Sequence, residues 1–331
     1  MNCSRKKAAA ARHTPSRILF CLFVVTCSFV VVQAQTSSND NSPEMNALSI
    51  VIRASNPTTK LAAAEDFLSR YPKSKNRIKL AQMVSEEIRK VPNPSAALTL
   101  LDRAATIFTG ADETRFFTTI RLDALLDSGQ TDDGFRLATQ VLKDTPDDVS
   151  TWIKLTFAGA EEAKRRNLKY ADLSLEYGTK AIRLIEMNQP PAGVDEQEWT
   201  NLRSELGALY QATALLYLAQ ENTSEASSRV ARAIATSPGD PANYALLGRL
   251  LQTDYERNEQ DSNSRSSPIQ HDPVDQIIEA YARAAGLAMG RIEYQKLLQQ
   301  VIPDLTRYYK IRHNDSTQGL QQLIDRYRRV P

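Results

Sequence analysis

The chain has 331 residues, 41 Lys and Arg against 39 Asp and Glu, and a formal charge of +2. Five of the cations (Arg5, Lys6, Lys7, Arg12, Arg17) precede the first acidic residue, Asp40, so the rest of the chain carries 36 cations against 39 anions, a net of −3. A near-neutral surface of mixed sign argues against nucleic acid as the main partner, because phosphate binding needs a basic face. The three cysteines, Cys3, Cys21 and Cys27, all lie in the first 34 residues, which leaves the remainder without a thiol nucleophile, a cysteine–zinc site or an iron–sulfur cluster.

Residues 1–34 read as a targeting segment. The basic stretch is followed by an apolar run, Ile18 to Val32, broken only by Thr26 and Ser28, and Val32-Gln33-Ala34 ends it on a small residue. Basic, apolar, small is the order of a secretory signal. At 15 residues the run is shorter than the ~20 a spanning helix needs, although thinning of the bilayer would accommodate it. Two readings stand: a cleaved signal, with the protein periplasmic or secreted, or an uncleaved anchor at 18–32. Residues 35–43, rich in Ser and Asn, read as a flexible spacer.

From residue 44 to 331 the pattern is helical throughout. Ala and Leu are abundant, Gly and Pro collect at boundaries, and no apolar alternation argues for strands. Seven helix pairs are expected, at 44–71, 75–109, 112–146, 147–187, 195–238, 241–288 and 290–329. Near the end of the first, Phe67-Leu68-Ser69-Arg70-Tyr71-Pro72-Lys73-Ser74 is an amphipathic helix terminus. In the third pair, Leu122, Leu125, Gly129, Gly134, Ala138, Val141 and Pro146 hold a set of spacings, with Gly129 at the turn. Trp152 and Leu155 then open the fourth pair. In the fifth, Asp195 with Glu198 reads as an N-cap and its partner, beginning a helix expected to run to about Gln220, or ~39 Å. Leu215, Leu216, Tyr217 and Leu218 make it apolar nearly all round, so it should be buried on more than one side. Ala214, Tyr217, Ala226, Val230, Ala233 and Pro238 follow, with Tyr244, Leu247, Gly248 and Leu251 in the same frame. Residues 256–273 contain one aliphatic side chain, Ile269, and read as a disordered loop inside the sixth pair.

The small–aromatic–Ala–large–Ala–Pro order resembles the tetratricopeptide repeat, a 34-residue pair of antiparallel helices. Small residues let the two backbones approach, the aromatic fills the gap beside them, and proline stops the second helix. The resemblance implies an all-α, TPR-like α-solenoid, a right-handed superhelix of about seven antiparallel helix pairs. The Phe67–Ser74 terminus is also similar to one seen in bacterial envelope proteins built from such repeats, including those near the outer-membrane barrel-assembly machinery. In the family one face of each first helix lines a concave groove. Those positions fall on Phe116, Thr119 and Asp123, on Ile153 and Phe157, on Gln211 and Leu215, and on Ala245, Arg249 and Gln252. The resemblance implies a non-enzymatic protein-interaction module or scaffold that takes a protein or peptide segment there; the basic groove that clamps a terminal carboxylate is not visible.

Catalytic chemistry finds little support in the sequence. His271 and His313 have no partner at zinc-site spacing, and no phosphate loop or nucleophile elbow is present. Glu161 with Glu162 and Asp132 with Asp133 are adjacent carboxylates expected to be solvated; a glycan-acting enzyme would need such groups to converge. No catalytic, metal or cofactor residue is assigned, and no cofactor is expected. Membrane contact is expected only through an uncleaved anchor. A structural subunit of an envelope assembly complex is the other non-catalytic reading.

Overall fold

The computed structural model describes residues 42–260 and 273–328. The targeting segment, most of the spacer and the core of the 256–273 stretch fall outside them. The described residues form fifteen α-helices and one 3-10 turn, with no strand among them. The described residues are all-α, built from successive helices that pack on one another in pairs. It divides at Arg203/Ser204 into two units.

The first unit holds α1 (Pro43–Arg53) through α9 (Glu196–Ser204), with α2 Pro57–Arg70, α3 Arg77–Arg89, α4 Pro94–Ile107, α5 Ala111–Asp127, α6 Thr131–Asp144, α7 Val149–Lys164 and α8 Ala171–Glu186. Its helix starts are written locally. Ser42-Pro43, Asn56-Pro57 and Asn93-Pro94 each place a capping side chain before a proline, and each cap accepts a backbone N–H inside the first turn. Proline fits there because its missing donor would have had no helical partner. The first of these starts corrects the expected spacer, whose last two residues are the cap and opening residue of α1. Within the fourth pair, Gly159 of α7 lies so close to Ser174 of α8 that a Cβ would come within 2.0 Å of the serine Oγ. Ser174 in turn donates to the Leu155 carbonyl at 3.0 Å. A polar clamp joins the second and third pairs: the Arg77 guanidinium meets the buried Glu113 carboxylate at 2.5 and 3.0 Å, and also donates to the carbonyls of Ile107 and Pro72. Arg77 holds the Glu113 carboxyl below its ordinary value, against the opposing effect of burial.

The second unit holds α10 (Leu206–Ala219), α11 (Thr223–Thr236), α12 (Pro241–Gln260), α13 (Pro273–Ala288), the 3-10 turn Ile292–Tyr294, α14 (Gln295–Arg312) and α15 (Leu320–Tyr327). The repeat frame is visible in its packing. Ala214, Ala226, Val230 and Ala233 are all buried, Tyr217 packs on their cluster, and α11 ends just before Pro238. Eight residues of α10, among them Leu209, Tyr210, Leu216 and Leu218, are buried, as its all-round apolarity requires.

Two further expectations are corrected. The helix expected from Asp195 to about Gln220 is two helices that break at Glu205, where ψ is −4°. Each half is held by its own neighbours: Trp199 is buried and donates to Asn188 at 3.0 Å, while Gly207 abuts Ser237 with no room for a Cβ. Of the expected loop at 256–273, residues 256–260 belong to α12 and Pro273 opens α13, while 261–272 lie outside the described residues. Glu256 supports that extra turn by accepting from Gln252, one turn earlier, and from Tyr308 of α14.

Candidate partner-binding surface

In the first unit, Phe116, Thr119, Asp123 and Asp127 share a strip of α5, since steps of three and four residues return to one side of a helix. Phe116 is half-buried with the Arg115 guanidinium 5.0 Å above its ring, and Thr119 is exposed. Asp123 is half-buried and pairs across to Lys154 of α7 at 2.6 Å. Burial, and then the charge of Asp123, push the Asp127 carboxyl up, with Lys154 opposing them. The strip therefore offers two carboxylates to one ammonium group.

On α7 the expected residues separate. Ile153 is buried at 5% exposure, which corrects its assignment to an open face. It lies ~100° around the helix from Lys154 and turns into the packed side. Phe157, one turn beyond Lys154, is half-buried, whereas Leu155 and Trp152 are buried and Trp152 stacks on Tyr177 of α8. The face is thus Phe116, Thr119, the Asp123–Lys154 pair, Asp127 and Phe157. Lys154 and Asp127 escaped the sequence reading, although one is three residues before Phe157 and the other four after Asp123.

In the second unit most of the expected groove positions are committed inward. Gln211 donates to Asn243 Oδ1 at 3.1 Å, and the buried Asn243 donates to the Ala233 and Ser237 carbonyls, tying α10, α11 and α12 at one residue. Leu215 packs beside Val230 and Leu246, and Ala245 packs on the Tyr244–Ile277–Tyr281 cluster. Gln252 accepts from the Tyr281 hydroxyl at 2.8 Å and donates to Glu256. Burial drives the Tyr281 and Tyr308 hydroxyls far up, so both stay protonated donors in this network. Arg249 alone of the set is well exposed, and Leu215 is half-buried. Gln211, Ala245 and Gln252 are half-buried and are engaged in packing or hydrogen bonds within the unit.

Three of the four carboxylates, Asp132, Asp133 and Glu162, line a polar cleft of about 220 Å³ with Thr131 where α6 opens and α7 closes; Glu161 is not among its lining residues. Each is already occupied. Glu162 accepts from Thr131, Arg165 and Asn167; Asp132 accepts from Lys169 and Tyr170; Asp133 pairs with Arg136 and Glu161 with Lys164. Lys169 and then Tyr170 hold the Asp132 carboxyl below its ordinary value, the opposite of what a general acid requires. His313 stacks on Tyr309 with ring centres 4.1 Å apart; His271 lies outside the described residues.

No helix among the described residues is long and apolar enough to cross a membrane. No family model matches the chain, and no curated protein does. Among solved structures it is similar to a thermophilic TPR protein of Thermus thermophilus, at 13% identity over 68% of this chain and 99% of that one with a TM-score of 0.41. It is also similar to a tetratricopeptide repeat protein of Parabacteroides merdae, at 13% identity over 78% and 96% of the two chains with a TM-score of 0.35.

Proposed function

We propose that this chain is a non-enzymatic binding module that works outside the cytoplasm and holds a protein or peptide segment on the α5/α7 face of its first unit. The observation that carries the reading is Phe157. It stands beside the Asp123–Lys154 pair and is half-buried, while the neighbouring Leu155 and Trp152 are fully committed to packing. With Phe116 it supplies two half-open rings separated by a polar strip, which suits an amphipathic segment with apolar anchors and a polar middle. An extracytoplasmic site of action rests on the order of residues 1–34.

The test is capture from an envelope extract with the wild-type chain, Phe157→Ala and Phe116→Ala, each melted in parallel. Truncating an interface anchor costs about 2 kcal/mol or more in binding, so captured partner should fall about thirtyfold at limiting concentration. Each variant should lose less stability than the ~3–5 kcal/mol of a fully buried Phe. Capture unchanged by both substitutions would remove the α5/α7 face from the proposal.

A further inference from the structure

Eight large apolar side chains among the described residues are well exposed, and four of them, Met45, Ile50, Ile52 and Ile78, lie on α1 and the first turn of α3. Helix α1 is apolar over more of its circumference than α2 covers. Leu48 and Val51 are buried, while Met45 and Ile52 flank them on one side at 45% and 47% exposure and Ile50 stands on the other at 61%. The α2–α3 turn sits against the start of α1, with the Ser74 hydroxyl donating to Glu44 at 2.6 Å. From that turn and the first turn of α3 project Lys73, Lys75 and Lys79, all exposed and none ion-paired with a described residue. The segment joining α6 to α7 has the opposite character, with Asp144, Asp147 and Asp148 against Lys143. Positive charge and uncovered apolar surface therefore coincide at the start of the array. The cap of α1, Ser42, is ten residues after Val32. At most ~3.6 Å per residue, it lies within ~36 Å of the end of the apolar run.

We infer that the α1 and α2–α3 end of the first unit rests on an anionic lipid surface, with the lysines at the headgroups and Met45, Ile52 and Ile78 entering the interface. Charge complementarity selects this occupant. Each lysine near an acidic bilayer strengthens adsorption about fivefold, and exposed apolar side chains along one side of an amphipathic helix suit an acyl boundary. A second copy placed symmetrically on this end would bring its own lysines against the first set. The contact shares no residue with the α5/α7 face and is independent of the binding role proposed for that face.

The test uses the full chain with Ile78→Trp as the reporter, in vesicles of phosphatidylcholine alone or with phosphatidylglycerol, each with and without brominated acyl chains. The native Trp152 and Trp199 are buried and set the background. Bromine should quench the new tryptophan in the anionic vesicles only. Adding Lys73→Glu, Lys75→Glu and Lys79→Glu should abolish that quenching and leave the melting temperature unchanged. Amine labelling supplies a second readout without the reporter. In anionic vesicles Lys73, Lys75 and Lys79 should react at least fivefold more slowly than in neutral ones, with Lys296 and Lys310 as references, and salt should restore the rate. Equal quenching in both vesicle types, quenching that survives the triple substitution, or unchanged labelling would each overturn the inference.

Discussion

Arg77 and Glu113 form an ion pair in a place where one partner without the other would be a buried, unmatched charge. Removing one side of such a pair costs about 3 kcal/mol, so Glu113→Gln should be clearly less stable than wild type at neutral pH. The pH dependence has a definite sign. The folded Glu113 carboxyl lies below its ordinary value of 4.5, so its contribution is full above that value and disappears as pH falls through the lower folded one. Thermal melts in acid should therefore bring wild type and Glu113→Gln together, with the difference greatest at neutral pH; parallel curves would show that the pair contributes nothing. A second residue-scale case is the turn inside three of the pairs. Gly129, Arg166 and Glu221 occupy the left-handed region at φ of 77°, 63° and 61°, directly after α5, α7 and α10. That conformation costs a side-chain-bearing residue roughly 1–2 kcal/mol, partly offset by the chain entropy that glycine loses on folding. Glu221→Gly should thus stabilise by about 0.5–1 kcal/mol in urea titration. Gly129→Ala should destabilise through the backbone alone, because nothing stands within 4 Å of the added Cβ.

At the scale of elements, the close approach of α10 and α11 depends on small side chains. Ala226 and Ala233 are buried at 1% and 0% exposure, so Ala233→Trp should cost at least ~1–3 kcal/mol. Ser227→Ala, on the exposed side of the same helix, should stay within about 0.5 kcal/mol. Equal melting of the two variants would contradict the packing. The helix pairs were legible because the features that define them are local: alanine and glycine where backbones meet, proline where a helix stops, a capping side chain where one starts. What escaped depends on partners distant in sequence. Glu256 looks like loop composition, yet Tyr308, 52 residues on, donates to it. Ile153 sits at a groove position by spacing, but the wheel of α7 says nothing about how many neighbours surround that helix. The helix start at Asp195 was legible but the break at Glu205 was not: before it Trp199 is held by Asn188, and after it Gly207 abuts Ser237. The same reason applies to the surface residues: spacing places Phe116, Thr119 and Asp123 on one side of α5, but it does not show that Gln211 and Gln252 bond to Asn243 and Tyr281.

For the whole molecule, the confinement of every cysteine to residues 1–34 has a direct consequence. A form processed near Gln35 would hold itself together by packing and hydrogen bonds, so its melting temperature should be the same with and without reductant. N-terminal sequencing of the exported protein should begin near Gln35; full-length chain recovered from the cytosol would refute export, and full-length chain in membranes would favour the anchor. Within the second unit, Asn243 decides how the array comes apart. This side chain closes three hydrogen bonds at once, to Gln211, Ala233 and Ser237. Peeling α12 from α11 would strand all three in a buried setting, which makes that a steep step. Amide exchange should therefore be fastest in α15, slow inward and drop abruptly at α12, so that fraying from the C-terminus has a ratchet tooth, and Asn243→Leu should file it off.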